Sequence, residues 1–247
     1  MSLTLEAVGA TLAQRLRGGA GPATALTERG SEQTLPVLPA LAPLFPAGAL
    51  RRGSTVAVPG SAALLLALLA GASAGGAWIA VVGVPTLGMV AAAEAGLMLE
   101  RLALVPNPGT DLATVVAALA DGVDIVVIGA PARLRGVELR RLAARARQRG
   151  TVLVGAGEWP GADQRLRVEA PAWTGLGQGH GHLSARRVTV HADGRGSAAR
   201  PRRHDLWLPA AGGGVAGVAP PASELVPDDL VREAGPDPAW RGQAEAV

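Results

Sequence analysis

The stretch Ser54-Thr-Val-Ala-Val-Pro-Gly-Ser-Ala-Ala-Leu-Leu-Leu-Ala-Leu-Leu69 decides the fold. A β-rich run over Ser54–Val58 breaks at Pro59-Gly60 and passes into an apolar helix expected over Ala62–Ala72. A second apolar run, Ala77–Val82, follows Gly75-Gly76. Strand, tight turn, helix, strand is the unit of a parallel sheet, because a helix must carry the chain back before the next strand can run the same way. No charged residue lies between Arg52 and Glu94, a run long enough for two membrane spans. However, Pro59, Gly60, Gly71, Gly75, Gly76, Gly83, Pro85 and Gly88 cut it into short pieces. Those pieces read as central strands apolar on both faces and a helix covered all round, with no membrane insertion.

Outward from that stretch the alternation continues. Helices are predicted over Met89–Arg101, Asp111–Ala120 and Arg135–Arg149, and strands over Leu102–Val105, Ile125–Ile128 and Thr151–Val154. After Gly155, shorter β-rich runs at Leu166–Val168, Arg186–His191 and Asp205–Leu208 read as hairpins that extend the sheet, with Gly175–Gly181 a mobile turn. The expected class is α/β: a mainly parallel twisted sheet with helices on both faces and antiparallel hairpins towards the C-terminus.

Upstream, Leu5, Val8, Leu12 and Leu16 mark a helix stopped by Gly18-Gly19-Ala20-Gly21-Pro22. Residues 35–50 are too proline-rich for a helix, and with the N-terminal helix they suit docking or self-association. Beyond Ala210, Gly, Ala and Pro dominate around Glu224, Asp228, Asp229, Glu233 and Asp237, a composition expected to be largely unstructured. The organisation read is therefore a helix and linker over 1–34, a core domain over 35–209 and an acidic tail over 210–247.

All 23 basic residues are arginine, and the chain of 247 residues has no Lys, Tyr or Cys. Arginine codons are GC-rich and lysine codons are not, so a GC-rich genome accounts for the bias. Its chemical consequence holds regardless of origin: no lysine can form a Schiff base or grip a phosphate, and no thiolate can act as nucleophile or zinc ligand. The start of the chain has no basic segment leading into a long apolar one, so the cytoplasm is the expected compartment.

A glycine-containing turn between a strand and a helix is where P-loop proteins cradle phosphate on backbone N–H groups. Here the turn and first helical residues are Pro59, Gly60, Ser61, Ala62, Ala63, Leu64 and Leu65. In the working motif G-x-x-x-x-G-K-[ST], lysine reaches the terminal phosphates and the hydroxyl holds magnesium. Leu64 and Leu65 fall at those two places, so the loop is degenerate for hydrolysis.

The order and spacing of the segments over about 36–208 resemble the RecA family. The likeness is most specific in Phe45-Pro-Ala-Gly-Ala-Leu-Arg-Arg-Gly-Ser54 and Gly122-Val-Asp-Ile-Val-Val-Ile-Gly129. The resemblance implies a RecA-like core whose second strand ends near a water-activating glutamate and whose later strand ends in a magnesium-associated aspartate. Val84 and Gly129 stand at those stations, and the resemblance therefore implies a pseudoenzyme without cofactor. Asp124 sits at the start of its strand and reads as a turn residue.

The ending Arg200-Pro-Arg-Arg-His-Asp-Leu-Trp-Leu-Pro209 is similar to the ImuA group, particularly its ImuA-prime branch. That resemblance implies an accessory protein of damage-induced translesion synthesis. Its implied partners are an ImuB-type pseudo-polymerase and an error-prone replicative-type polymerase, with RecA as a further partner and nucleoid association on DNA damage. The same superfamily includes the division inhibitor SulA, and an atypical ATPase completed in trans is a third reading.

Arg133, Arg135, Arg140, Arg141, Arg145, Arg147 and Arg149 crowd one predicted helix, and Arg202 and Arg203 lie in a later cluster with Arg186, Arg187, Arg195 and Arg200. A solvated face, DNA contact and an acidic protein partner all remain open for them. His180 and His182 lack an assured third ligand, so no metal is expected. Trp78 and Trp207 read as core, and Trp159 and Trp240 as partner anchors.

Overall fold

In the computed structural model, residues 33–177 and 180–218 are described, and the expected alternation appears with the β-rich runs closest to prediction. A small antiparallel pair, β1 (Thr34–Leu35) with β2 (Leu50–Arg51), precedes the main sheet. The main elements are β3 (Thr55–Ala57), α1 (Ala62–Ala74), β4 (Ile79–Val82), α2 (Met89–Glu94) and β5 (Leu102–Val105). They continue with α3 (Leu112–Leu119), β6 (Ile125–Ile128), α4 (Gly136–Arg149) and β7 (Val152–Gly155). The chain then forms β8 (Gln164–Gly177), β9 (His180–Gly194), β10 (Arg202–Trp207) and β11 (Ala216–Gly217).

The nine-stranded sheet has the order β11-β10-β9-β8-β3-β7-β6-β4-β5. Every neighbouring pair from β8 through β3 to β5 is parallel, and the pairs from β8 to β11 are antiparallel. The molecule is thus a mixed α/β fold around a large, mostly parallel sheet. No described helix is long and apolar enough to cross a membrane.

Alternate residues of the buried strands feed two cores, as the two-residue repeat of a strand requires. Val56, Ile79, Val81, Ile125, Val127, Val152 and Val154 pack with α1 on one face, together with Ala92 and Leu97. Ala57, Ala80, Val82, Val126, Ile128 and Leu153 pack with α3 and α4 on the other. Helix α1 is apolar all round because α1 is buried from Leu64 to Ser73. Gly71 allows this: a Cβ there would come within 2.6 Å of the Leu38 nitrogen, so the helix backbone lies directly against the preceding segment.

Several expectations are corrected. The segment 35–50 does contain a helical stretch, a 3-10 turn over Pro39–Leu44, tolerated despite Pro43 because its hydrogen bonds are few. Leu41, Leu44, Phe45 and Leu50 are buried in the chain's own core, so this segment is not a surface for docking. The helix predicted over Met89–Arg101 ends at Glu94, since Gly96 takes a left-handed φ of 93° and the chain resumes as a short 3-10 turn at Leu99–Arg101.

Of the three short runs after Gly155, Leu166–Val168 and Arg186–His191 are parts of much longer strands, and the third is shifted to Arg202–Trp207. Gly175 and Gly181, expected in a mobile turn, lie within β8 and β9. The boundaries also move: Thr34 pairs with Arg51, and Ala216–Gly217 pairs with β10. The described residues up to Gly217 belong to one compact unit. The expected N-terminal helix and most of the acidic tail lie outside the described residues.

Candidate functional site

The candidate site is the carboxyl end of the parallel strands, where β3 gives way to α1. Val58 N–H donates to the Gly155 carbonyl oxygen at 2.8 Å, so strand geometry persists one residue beyond β3. Gly60 turns the chain with φ 74°, a conformation that favours glycine. Ser61 caps the helix by accepting the Leu64 N–H on its hydroxyl at 3.2 Å. Only four residues therefore separate Ala57 from Ala62.

Leu64 is fully buried and Leu65 is 3% exposed, both within the core beneath the sheet. Their side chains are helix-packing residues, not stand-ins pointing at the turn. Ala62 is exposed, Pro59, Ser61 and Ala63 are partly buried, and Gly60 is open.

The stations expected for glutamate and aspartate lie side by side. Gly129 donates its N–H to the Val82 carbonyl oxygen at 2.8 Å. A Cβ on Gly129 would overlap the backbone carbonyl of Gly83 and come within 2.9 Å of Val84 Cγ2. Asp124 is confirmed as a turn residue: it accepts the Trp78 N–H at 2.9 Å and pairs with Arg52 at 2.8 Å.

Next to these residues a groove of about 810 Å³ opens at the ends of β4, β5 and β6. It is lined by Gly83, Asn107, Thr110, Asp111, Arg133 and Glu138 among others. Crevices at strand carboxyl ends are where α/β sheets bind ligands. Here Arg135 is matched: Glu138 accepts the Arg135 backbone N–H at 2.7 Å and pairs with its guanidinium at 3.1 Å.

The predicted arginine helix is α4, begun at Gly136 with Arg135 as its cap. Its arginines separate into two sets. Arg145 holds Asp121 through two hydrogen bonds of 2.9 and 2.5 Å, and Arg149 adds a contact at 3.1 Å. The Arg145 hydrogen bond holds the Asp121 carboxyl below its ordinary value, and the same bond raises Arg145. These arginines fasten α4 to the end of α3. Arg133, Arg140, Arg141 and Arg147 are exposed and remain as a surface.

Arg202 and Arg203 do not act together. They face Ala192 and His191 across the ladder, so strand alternation sends them to opposite faces. Arg187 instead pairs with Asp205 at 2.7 Å, and with the Thr189 hydroxyl this keeps the Asp205 carboxyl below its usual range.

Tryptophans depart from expectation as well. Trp159 is buried, in the loop that carries the chain from β7 across β3 to β8, and is no partner anchor. Trp78 is partly buried under the Arg101 guanidinium, 5.9 Å from the ring centroid. Trp207 is partly buried, whereas Trp173 is 48% exposed with Arg186 over its ring at 5.4 Å. Trp240 lies outside the described residues. Among the described residues no group of histidine and carboxylate ligands could hold a metal.

The model of the MT3502 N-terminal domain family matches residues 43–161, a little under half of the chain. The matched segment runs from the 3-10 turn through β7 and ends before β8. A protein of Mycobacterium tuberculosis (strain ATCC 25618 / H37Rv), named uncharacterized protein Rv3395c, is 41% identical over 120 residues, which is 45% of this chain. The chain spans 59% of that relative's length.

Proposed function

We propose that this chain is a non-catalytic adaptor with a RecA-type core that serves damage-induced translesion synthesis, binding an ImuB-type pseudo-polymerase. The observation that carries the non-catalytic part is what occupies the positions at which the catalytic groups are expected. The turn after β3 is four residues long, Leu64 and Leu65 are core, and Gly129 is packed against Gly83 and Val84. Phosphoryl transfer needs a cation, a metal and a positioned water in one open place, and each of these stations is filled with apolar atoms or backbone.

Support for the RecA-type core comes from the sheet itself, parallel with helices on both faces and antiparallel strands appended beyond β8. The translesion role and its partners rest on the resemblance of Arg200–Pro209 to the ImuA group. Exposed Arg140, Arg141 and Arg147 offer a cationic face for an acidic partner or DNA. The buried Leu64 and Leu65, in a chain without lysine, argue against an ATPase completed in trans, because a neighbour's residues would have to supply the phosphate-gripping cation as well.

Co-purification of the full chain with an ImuB-type protein tests the reading directly, alongside phosphate release with ATP, DNA and partner present. A stable complex and no turnover are expected. Failure of folded protein to bind an ImuB-type partner or RecA overturns the adaptor role, and turnover overturns its non-catalytic part. Filamentation of expressing cells would favour the division-inhibitor reading.

A further inference from the structure

Helix α4 buries Leu139, Leu142 and Ala146 and turns its opposite side to solvent. At 3.6 residues per turn that outer stripe consists of Val137, Arg140, Arg141, Ala144, Arg147 and Gln148, all of them exposed. Ala144 sits at its centre, with Arg140 and Arg141 one turn before it and Arg147 and Gln148 one turn after. A small side chain ringed by guanidinium groups lets another molecule come close to the helix.

The acids that could neutralise this stripe are engaged elsewhere. Asp121 is held by Arg145 and Arg149 on the flank that faces α3, and Asp124 pairs with Arg52. Glu138 gives both carboxylate oxygens to Arg135, and Arg141 adds only a longer-range attraction to it. Among the described residues, no ion pair joins the guanidinium of Arg140, Arg141 or Arg147.

Codon bias accounts for arginine in place of lysine, but not for the missing acids. The chain carries 20 Asp and Glu against 23 Arg, whereas residues 139–157 hold five Arg and neither acid. On a solvated helix, opposite charges four residues apart stabilise and like charges destabilise. Arg141 and Arg145 are a like pair at that spacing.

Two features of the stripe select among polyanions. Protein interfaces centre on aromatic or large apolar anchors, and Val137, 40% exposed at the start of the helix, is the one large apolar side chain here. Binding of single strands adds aromatic platforms on which bases stack, and α4 has no aromatic residue. The phosphates of a duplex need neither, since planar guanidinium forks grip them and release their counterions.

We propose that the outer face of α4 binds the phosphate backbone of a nucleic-acid duplex through Arg140, Arg141 and Arg147, without reading its sequence. Contacts to phosphate position a duplex but carry no sequence information. The proposal rests on the cationic face of the adaptor reading and names its partner as nucleic acid. It needs no pseudo-polymerase, so the two ideas fail separately.

Fluorescence anisotropy of a labelled, mixed-sequence DNA duplex with the full chain tests it. Three phosphate contacts are expected to make log Kobs fall with log salt at a slope of about −2.7, a loss of about 40-fold between about 50 and 200 mM salt. R140Q/R141Q/R147Q is expected to lose the binding, and each single glutamine variant to reduce the slope by about 1. Glutamine is a good helix former, and circular dichroism checks that α4 persists. R202Q/R203Q, on a different strand, is expected to bind like the wild type. Absence of duplex binding at low salt overturns the proposal, as does undiminished binding by the triple variant or an equal loss in R202Q/R203Q. Tighter binding of a single strand of the same sequence overturns the choice of duplex. Displacement by poly-glutamate as efficient as by unlabelled duplex, at equal charge, would replace nucleic acid with an acidic protein. Co-purification of the triple variant with an ImuB-type protein reads the adaptor role apart from duplex binding.

Discussion

Gly129 and Gly83 face each other so closely that the backbone carbonyl of one occupies the space a side chain on the other would need, with Val84 Cγ2 2.9 Å from the same point. Beside the groove at these strand ends, position 129 itself has no room for a side chain unless the backbone shifts. G129A is expected to lower stability by about 1–3 kcal/mol and G129D by more, since overpacking is joined by a buried charge. Urea unfolding measures both. Wild-type stability for G129A would mean that these strand ends relax freely.

Leu64 is fully buried at the first turn of α1. Replacing it with lysine places an ammonium group among leucines, which is expected to cost about 3 kcal/mol or more, whereas L64M is expected to cost less than about 1.5 kcal/mol. Chemical denaturation distinguishes the two. Titration of a fluorescent ATP analogue is expected to show no gain of binding for L64K; a gain would mean that the lysine reaches the turn.

Gly71 lies mid-helix, where alanine usually stabilises by about 1 kcal/mol. Here the added methyl would fall 2.6 Å from the Leu38 nitrogen, in backbone that cannot rotate away. Overpacking of about 1–3 kcal/mol is the larger effect, so G71A is expected to lower the urea midpoint. A raised midpoint would show that the 36–38 segment yields easily.

The Asp121 carboxyl is held below its ordinary value of 3.8, first by the Arg145 hydrogen bond. A depressed carboxyl pKa contributes stability that is complete above the unfolded value and disappears as pH falls through the folded one. D121N should therefore destabilise the protein near neutral pH by about 1 kcal/mol, a modest figure because Arg145 is partly exposed. The gap from wild type should close below about pH 3.8. Thermal melts across pH measure it, and a gap that stays constant in acid would rule out this pair as its source.

What could be read from the residues alone was the chain's local alternation. Leu102–Val105 and Ile125–Ile128 form strands over the residues expected of them, because uninterrupted apolar runs bounded by turn residues have few other ways to be buried. The lack of lysine and the leucines at 64 and 65 were likewise legible without any coordinates. The length of β8 and β9 was harder to see, since residues 164–194 mix charge with glycine and satisfy their backbone only across the ribbon.

Tertiary structure decided what depends on neighbours distant in sequence. It set the strand order, turned Trp159 inward, bound Arg145 and Arg149 to Asp121, and separated Arg202 from Arg203 across the sheet. It also brought together residues 83 and 129, which are 46 positions apart in the chain and meet only because β4 lies beside β6. Local pattern follows from the covalent chain and its contact with water, whereas such contacts exist only once the sheet has set its register.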